Sequence, residues 1–239
     1  MPAAEFGLRL MPAGVVVSCE HAAHALPLAF RDLVPEAVRT SHRGWDAGAL
    51  GLAEALADTL DAPLYAGAYS RLLVDLNRST HHRQLFSSAS QALDSAQRAA
   101  IVARYYQPFR RAVRDAVAAR LPCLHLSVHS FTPCLEGVSR PTDIGLLYDP
   151  RRPLERQLAT ALAQQLRATG NWTVHRNQPY RGCADGHTTA LRRQLPATAY
   201  AGLEIEINQR WVDTPEWPHL QRAVCTALRA TPWPDGAGI

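Results

Sequence analysis

Short apolar runs alternate along this chain with segments whose apolar residues recur at helical spacing, and this alternation constrains the fold most strongly. The run GVVVSC at 14–19 is rich in β-branched residues and bounded by glycine and by charge, which is typical of a buried strand. In the segment 46–60 the apolar residues recur every three or four positions, and Asp46 stands where an N-cap is expected. The same patterns predict further strands at 62–70, 71–77, 122–130, 143–149, 171–177 and 200–208. They predict further helices at 91–120 with a bend at Pro108, and at 153–168, 184–195 and 215–229.

Interleaved strands and helices indicate an α/β fold, with helices on both faces of a largely parallel sheet. The 239 residues contain no internal repeat, low-complexity block or linker. We therefore expect a single domain over residues 1–239, and the apolar share of 47% is sufficient for a buried core.

The charge pattern argues against several classes of partner. All 25 Lys-or-Arg positions are arginine, and they are mixed with 21 acidic residues and form no basic tail, so nucleic-acid binding is not favoured. No stretch approaches the roughly 20 apolar residues of a membrane helix. The N-terminus lacks the basic and apolar regions of a secretory signal. We expect a cytoplasmic protein that binds a small molecule and neither nucleic acid nor membrane.

The five cysteines include no CxxC pair, which argues against a disulfide framework and against a cysteine-based zinc site. We interpret them as small buried apolar residues, with a Cys–His nucleophilic site around Cys19 and His21 as the less favoured alternative.

Polar clusters follow four of the predicted strands. They are Glu20, His21 and His24; Asp75, Asn77 and Arg78; His125 and His129; and Glu204 and Glu206. Because the carboxyl ends of parallel strands meet at one edge of a sheet, we expect these clusters to converge. Two histidines and a carboxylate are typical ligands of catalytic zinc, which keeps a further position for water. The pattern therefore indicates a metal-dependent hydrolase.

The two histidines of the third cluster cannot easily share one metal. His125 and His129 lie on the same strand face, about 13 Å apart at the usual strand rise. His129 stands at the strand end and is the better ligand.

Six segments in this chain resemble the N-formylglutamate amidohydrolase family. In order they are SCEHAAHALP, GWDAGALGLAEAL, SRLLVDLNRS, HSFTP, NQPYRG and EIEINQR. The resemblance covers about residues 14 to 212, and SRLLVDLNRS and HSFTP are its most specific parts. That family is similar to the zinc carboxypeptidases and the succinylglutamate desuccinylase group. The resemblance thus implies a three-layer α/β/α domain with a mostly parallel mixed sheet, zinc-carboxypeptidase-like (phosphorylase/hydrolase-like).

The resemblance also implies a metal centre and a catalytic pair. His21 and His129 are the implied ligands of one Zn²⁺ per chain. Glu206 is the implied catalytic residue that takes the proton of water, and the family pattern selects it over Glu204, which we expect to pair with an arginine. Arg71 is implied to polarise the scissile carbonyl, which fits the ability of arginine to stabilise a developing oxyanion.

The remaining implied roles concern substrate binding. Asn77 and Arg78 are implied to grip a substrate carboxylate, which a planar guanidinium matches with two hydrogen bonds. Asp75 is expected to hold Arg71 or Arg78 in place. Tyr180 is expected to contact substrate from a glycine-containing loop that closes over the site. His187 belongs to the same stretch, where a plain surface loop is an equally good interpretation.

The third metal ligand stays open among three residues. The related carboxypeptidases carry an acidic ligand three residues after the first histidine, where this sequence has His24. Glu20 is adjacent to His21 and points to the opposite side of an extended segment. Asp46 opens the helix that follows, as the carboxypeptidase acidic ligand also does, and we rank it ahead of His24 and Glu20.

The implied function is that of a zinc-dependent amidohydrolase, which converts N-formyl-L-glutamate and water to formate and L-glutamate. A metallocarboxypeptidase or another N-acyl amino acid deacylase is the alternative within the enzyme class. A non-catalytic carboxylate-binding protein on the same scaffold is the alternative from another class.

Overall fold

The computed structural model describes residues 14–233. The N-terminal stretch without a secretory pattern lies outside these residues, as do both ends of the predicted domain 1–239. The strands are Gly14–Cys19 (β1), Leu64–Ala66 (β2), Cys123–Phe131 (β3), Cys134–Leu135 (β4), Val138–Ser139 (β5), Ile144–Leu147 (β6), Val174–Arg176 (β7) and Tyr200–Asn208 (β8). The α-helices are Glu36–Arg39 (α1), Ala49–Leu60 (α2), Ser88–Gln91 (α3), Ser95–Ile101 (α4), Gln107–Ala118 (α5), Pro153–Ala168 (α6), His187–Arg192 (α7) and Trp217–Ala230 (α8). None of the helices in this described range is long and apolar enough to cross a membrane.

A six-stranded sheet forms the centre of the structure, in the order β2-β1-β3-β8-β6-β7. Strands β2, β1, β3 and β8 are parallel to one another. Strand β6 pairs antiparallel with β8 and parallel with β7. This mostly parallel mixed sheet confirms the predicted α/β class, and it places the carboxyl ends of β1, β3 and β8 at one edge.

Helices cover both faces of the sheet. On β1, Val15 and Val17 point to the face that packs against α2, α6 and α8. Val16 points to the other face, where it packs with α5 and with Leu191 of α7. Because successive side chains of a strand alternate between faces, one apolar strand serves both layers. The architecture has the three α/β/α layers that the resemblance implies.

The segment 71–77 is not a strand, contrary to the prediction. Its backbone folds into successive turns, in which Leu73 N–H donates to Ser70 O and Arg78 N–H donates to Asp75 O. Leu73 is buried in a separate apolar cluster beneath α4 and α5 rather than in the sheet. A short apolar run indicates burial, and periodicity alone does not say in which element the burial occurs.

The predicted helix 91–120 is interrupted. Helix α4 begins only after Asp94, whose side chain accepts a hydrogen bond from the N–H of Gln97. A π turn over Val102–Tyr106 then precedes Pro108. Since proline lacks an N–H and its ring clashes with the carbonyl four residues earlier, a widened turn is expected there. The irregularity at Pro108 therefore takes the form of a π turn.

Other boundaries differ by less. The predicted strand at 62–70 is reduced to the three residues of β2, and the one at 171–177 to the three residues of β7. Helix α7 is shorter than the predicted 184–195. Helix α6 and strand β8 have the predicted bounds.

Candidate active site

The carboxyl ends of β1, β3 and β8 bring the polar clusters of the sequence together. His21 follows the end of β1, and His129 of β3 lies directly beside Glu206 of β8 in the register of the sheet. These side chains, together with Arg71 and Asn77, line one cavity of about 200 Å³. Three strand ends and one turn segment therefore supply a single site.

Two histidine rings meet one carboxylate at the bottom of this cavity. Nδ1 of His21 lies 3.2 Å from Oδ2 of Asp46, and Nδ1 of His129 lies 2.9 Å from the same oxygen. The three residues offer ligand atoms that all lie within 4.8 Å of one another. The backbone N–H of Asp46 donates to the carbonyl of His21 at 3.0 Å, which fixes the carboxylate next to the ring. The N-cap of α2 is Gly48, not Asp46 as predicted, so the Asp46 side chain is directed to the histidines instead.

The second nitrogen of each ring is held by an acceptor. Nε2 of His21 lies 2.8 Å from Oδ1 of Asp75, and Nε2 of His129 lies 2.9 Å from the hydroxyl of Ser127. The Ser127 hydroxyl donates to Glu20 at 2.8 Å, so it accepts from His129. Both rings can therefore keep a proton on Nε2 and present Nδ1 to a cation, as metal-binding histidines do. Two imidazoles and one carboxylate, oriented in this way, fit a catalytic metal site.

The electrostatics of the cluster agree with this assignment. Burial alone would raise the pKa of Asp46, but His21 and His129 outweigh it and hold that pKa below its usual range. Burial also opposes protonation of His129, yet the hydrogen bond and the charge of Asp46 raise the pKa of His129 to about 10. The carboxylate thus stabilises a positive charge at this point. A bound cation would displace the proton from the ring.

Asp75 connects three parts of the site. One oxygen accepts a hydrogen bond from Arg71 at 2.7 Å, and the other accepts from His21 and from the backbone N–H of Asn77 at 2.9 Å. The last of these bonds closes a turn of the Asx type, which explains why this segment is not extended. The predicted pairing of Asp75 with Arg71 is present. Arg71 also lies 3.5 Å from Oδ1 of Asp46, so it spans the wall of the cavity beside the histidines.

Asn77 and Arg78 face the same cavity from the end of this turn. Oδ1 of Asn77 accepts from the backbone N–H of His187 at 2.6 Å, and its Nδ2 lies 3.3 Å from Nε2 of His129. Arg78 donates to the carbonyl of Asp185 at 3.0 Å. Its Nε is buried and has no partner within residues 14–233. A buried N–H without an acceptor is costly, and an anion in the cavity would satisfy it.

Glu206 lines the same cavity and lies beside His129 in the sheet. Burial raises the pKa of Glu206 to about 8, although the neighbouring His129 works against the shift. Its Oε2 is buried and has no hydrogen-bond partner among the described residues. The residue beside it in the sheet is Gly145, where a side chain would come within 2.2 Å of the carbonyl of Gln178. Glycine at this position therefore lets the loop after β7 approach the glutamate.

That loop, residues 177–186, closes the site from the outside. Tyr180 and Arg181 line the cavity, and the hydroxyl of Tyr180 accepts from Arg140 at 2.9 Å. The Tyr180 side chain is 44% exposed, which places it at the mouth rather than on the floor. A carboxylate oxygen of Asp185 accepts from the backbone N–H of Ser79 at 2.9 Å and ties this loop to the turn segment.

Two predicted residues make other contacts. Glu204 accepts a hydrogen bond from Thr188 at 2.5 Å, and it forms no ion pair with an arginine of the described residues. His24 lies outside the histidine–carboxylate cluster, with Nδ1 3.3 Å from Arg39 and its ring edge-on to Trp45.

Known proteins resemble this chain over most of its length. A sequence profile described as N-formylglutamate amidohydrolase matches residues 13–212, most of the chain. This chain belongs to that family. The crystal structure of a gene product from Agrobacterium tumefaciens is similar over 94% of this chain and 92% of that one, with a TM-score of 0.77 and 28% identity. A bacteriophage poly-gamma-glutamate hydrolase covers 92% of this chain and 85% of its own, with a TM-score of 0.48 and 12% identity. No curated protein matches the sequence.

A second histidine–carboxylate cluster lies behind the first in this member of the amidohydrolase family. One oxygen of Glu20 accepts from the Ser18 hydroxyl and from Nδ1 of His187, both at 2.8 Å, and the other accepts from Ser127. His187 is buried rather than part of a plain surface loop. The opposite orientation of Glu20 and His21 follows from strand geometry, but the partner His187 comes from a distant helix, and no local pattern reveals it.

His125 completes this second cluster. Its ring lies between the hydroxyl of Ser18 at 2.8 Å and that of Tyr200 at 2.9 Å, so both nitrogens are satisfied. Burial lowers the pKa of His125 to about 3, with a further contribution from His187. A neutral, fully hydrogen-bonded ring explains why this histidine stands apart from the group that can bind a cation.

Proposed function

We propose that this chain is a zinc-dependent amidohydrolase that cleaves the amide C–N bond of an N-acyl amino acid. The preferred substrate is N-formyl-L-glutamate, and the products are formate and L-glutamate. Membership of the amidohydrolase family supports hydrolysis of an amide. One observation carries the proposal furthest. A cation-binding group faces the same cavity as the carboxyl group of Glu206, whose buried Oε2 has no hydrogen-bond partner among residues 14–233.

The cation-binding group consists of His21, Asp46 and His129. A bound Zn²⁺ would polarise the formyl oxygen and lower the pKa of a water molecule to about 7. Asp75 and Ser127 keep the two rings in the tautomer that exposes Nδ1 to the metal. These two residues therefore support the site without touching the substrate.

Glu206 is the proton carrier of the proposed reaction. It accepts a proton from the attacking water and delivers it to the leaving nitrogen. The first transfer needs the ionised carboxylate, which a bound cation would favour, and the raised pKa of about 8 makes that carboxylate a stronger base towards the water. No residue between 14 and 233 donates a hydrogen bond to Oε2, which leaves that oxygen for the water.

Arg71 stabilises the oxyanion that develops on the formyl group. Asp75 and Asp46 hold its guanidinium in place before substrate arrives. A donor that is already oriented needs no rearrangement during the reaction, and such a donor is worth several kcal/mol in the transition state.

Asn77 and Arg78 bind a carboxylate of the substrate, with Tyr180 at the mouth of the cavity. Nε of Arg78 has no hydrogen-bond partner in the described part of the chain and is a donor for one carboxylate oxygen. The cavity of about 200 Å³ is smaller than pockets for drug-sized ligands, which span about 300–1,000 Å³. A cavity of that size has room for a small N-acyl amino acid.

Metal analysis combined with a product screen tests this function. Protein purified without chelator should contain one zinc per chain by mass spectrometry of the metals. It should release formate from N-formyl-L-glutamate faster than from N-formyl-L-methionine, and faster than it releases acetate from N-acetyl-L-glutamate. Glu206→Gln serves as the control that retains metal but not activity. Protein that binds glutamate, contains no metal and releases no formate would instead be a carboxylate-binding protein, and faster release of acetate would identify a different deacylase.

A further inference from the structure

A second cavity, of about 370 Å³, lies between α5 and α7 and shares no lining residue with the proposed active site. Helix α5 contributes Gln107, Arg110, Arg111 and Arg114 to one wall. Helix α7 and the turn that follows it contribute His187, Ala190, Leu191 and Gln194 to the other. Both sets are spaced three, one and three positions apart, so each forms one face of its helix. The small side chain of Ala190 leaves the space between the two faces open.

The three arginines of α5 are poorly compensated by acids. Arg110 is half-buried, stacks over the ring of Tyr106 and donates one hydrogen bond, to the carbonyl of Leu76. It forms no ion pair in the part of the chain that the structure describes, and burial lowers its pKa. Arg111 likewise has no ion-pair partner in that range, and Arg114 pairs only with its neighbour Asp115, at 2.8 Å.

The nearest carboxylates are already bound to other groups. Glu20, Asp75 and Asp185 attract Arg110 from a distance. Glu20, however, accepts from His187, Asp75 from Arg71, and Asp185 from the backbone of Ser79. Like charges three or four positions apart on a helix repel one another. A half-buried guanidinium that lies among other arginines without an ion pair favours an anion as its partner.

We propose that this cavity is a binding site for a phosphoryl group, either free phosphate or the phosphate of a small organic ester. Guanidinium groups bind phosphate oxygens through paired hydrogen bonds, and three of them suit a dianion better than a single carboxylate. His187 fits the same ligand. Its Nδ1 lies 2.8 Å from Glu20 and donates to it, which leaves Nε2 as an acceptor for the hydroxyl of a hydrogen phosphate. Because the cavity lies between two helices, it favours a small ligand over an extended polyanion.

Isothermal titration of the zinc-loaded protein with inorganic phosphate and with glycerol 3-phosphate, at constant ionic strength, tests the proposal. Both probes should bind, and the ester binds more tightly if the rest of the cavity contributes. Arg110→Gln should weaken binding at least 10-fold, and Arg111→Gln several-fold. Arg222→Gln, which removes an exposed charge from α8, should leave binding unchanged, as should Arg78→Gln in the proposed active site.

A cavity-filling variant separates a binding role from a structural one. Ala190→Leu retains every arginine and should abolish phosphate binding while the protein melts at nearly the same temperature as the parent. Binding that survives both Arg110→Gln and Ala190→Leu, or that disappears equally in Arg78→Gln, would place the phosphate elsewhere and overturn the proposal. Absence of saturable binding of either probe to the parent protein at 10-millimolar concentration (about 2.7 kcal/mol of binding free energy) would overturn it as well.

Discussion

Two buried groups of histidines and a carboxylate lie side by side at the end of β1, and they are built differently. In the first, the Nδ1 atoms of His21 and His129 both lie within hydrogen-bond distance of one oxygen of Asp46. In the second, one oxygen of Glu20 accepts hydrogen bonds from His187 and from a serine hydroxyl, and the other oxygen accepts one from a second serine hydroxyl. The first group directs ligand atoms at a common point, whereas in the second the hydrogen bonds spread over both oxygens.

The histidine pKa values of the two groups also differ. The hydrogen bond to Asp46 overcomes the effect of burial and raises the pKa of His129 to about 10. Burial, with Arg110 as the next contribution, lowers the pKa of His187 to about 4, and it lowers that of His125 to about 3. The first group stabilises a positive charge, and the second stabilises neutral rings around one carboxylate. Residue composition alone does not make a metal site, because the direction of the ring nitrogens decides what can bind.

The largest expected difference concerns metal affinity. His21→Ala and His129→Ala should each reduce zinc affinity at least 10-fold and abolish formate release, because a three-ligand site has no spare donor. His187→Ala, in the second group, should retain zinc. Metal content after dialysis against buffered zinc measures the difference. Full occupancy in either of the first two variants would remove that residue from the ligand set.

The identity of the third ligand sharpens the comparison further. Asp46→Ala should lower zinc occupancy more than Glu20→Ala, and His24→Ala should leave it at the parental level, since His24 contacts Arg39 and Trp45 instead. The same metal analysis applies to all three. Loss of zinc in Glu20→Ala, with zinc retained in Asp46→Ala, would mean that Glu20 and not Asp46 is the third metal ligand.

Local patterns predict the α/β class, helix α6 and strand β8, because apolar residues recur with the period of each element. The contacts that distinguish the two groups leave no such period. The choice of Asp46 over His24 depends on how the chain between β1 and α2 folds back, which is a tertiary property. The choice of His129 over His125 follows from position along one strand and was accessible.

The segment SRLLVDLNRS shows where pattern and structure separate. Its apolar residues are buried, as the sequence indicates, and three of its polar residues line the cavity of the proposed active site. Its conformation is a series of turns, because Asp75 binds the N–H of Asn77 and no neighbouring strand competes for it. The contact between Asp75 and His21 joins two residues far apart in the sequence, and the spacing of residues along a helix or a strand does not predict it.

The next prediction concerns variants that lose catalytic rate but keep the metal. Glu206→Gln should lower kcat by roughly 100-fold or more at unchanged zinc content, because a proton carrier is needed only in the chemical step. Arg71→Ala should have a similar effect, with little change in KM, if it meets charge that develops on the oxyanion. Steady-state kinetics beside thermal melts on the same preparations provide the measurement. Activity that falls only in proportion to the folded fraction would assign both residues to structure.

A smaller and different effect is expected at Arg78. If it binds the substrate carboxylate equally in the ground state and the transition state, Arg78→Ala should raise KM and leave kcat largely intact. Arg78→Lys should not restore the parental KM, because an ammonium group cannot make two parallel hydrogen bonds to a carboxylate. A kcat defect equal to that of Arg71→Ala would contradict this division between binding and chemistry.

The smallest effect concerns stability in acid and isolates the second group. The folded-state pKa of His125, about 3, lies below the unfolded value of about 6.5. The unfolded chain therefore binds a proton first as pH falls, so the stabilisation is complete above pH 6.5 and is lost progressively towards pH 3. Between pH 7 and pH 5 this group alone should cost about 2 kcal/mol of unfolding free energy. His125→Gln retains a donor and an acceptor for Ser18 and Tyr200 but cannot titrate, so its urea unfolding should lose that much less over the same interval. Both proteins are compared after removal of metal, so that release of zinc in acid adds nothing to the difference. An equal dependence of the unfolding free energy on pH in the two proteins would mean that His125 is already protonated in the folded state. The second group would then not consist of neutral rings, and the contrast between the two groups would be wrong.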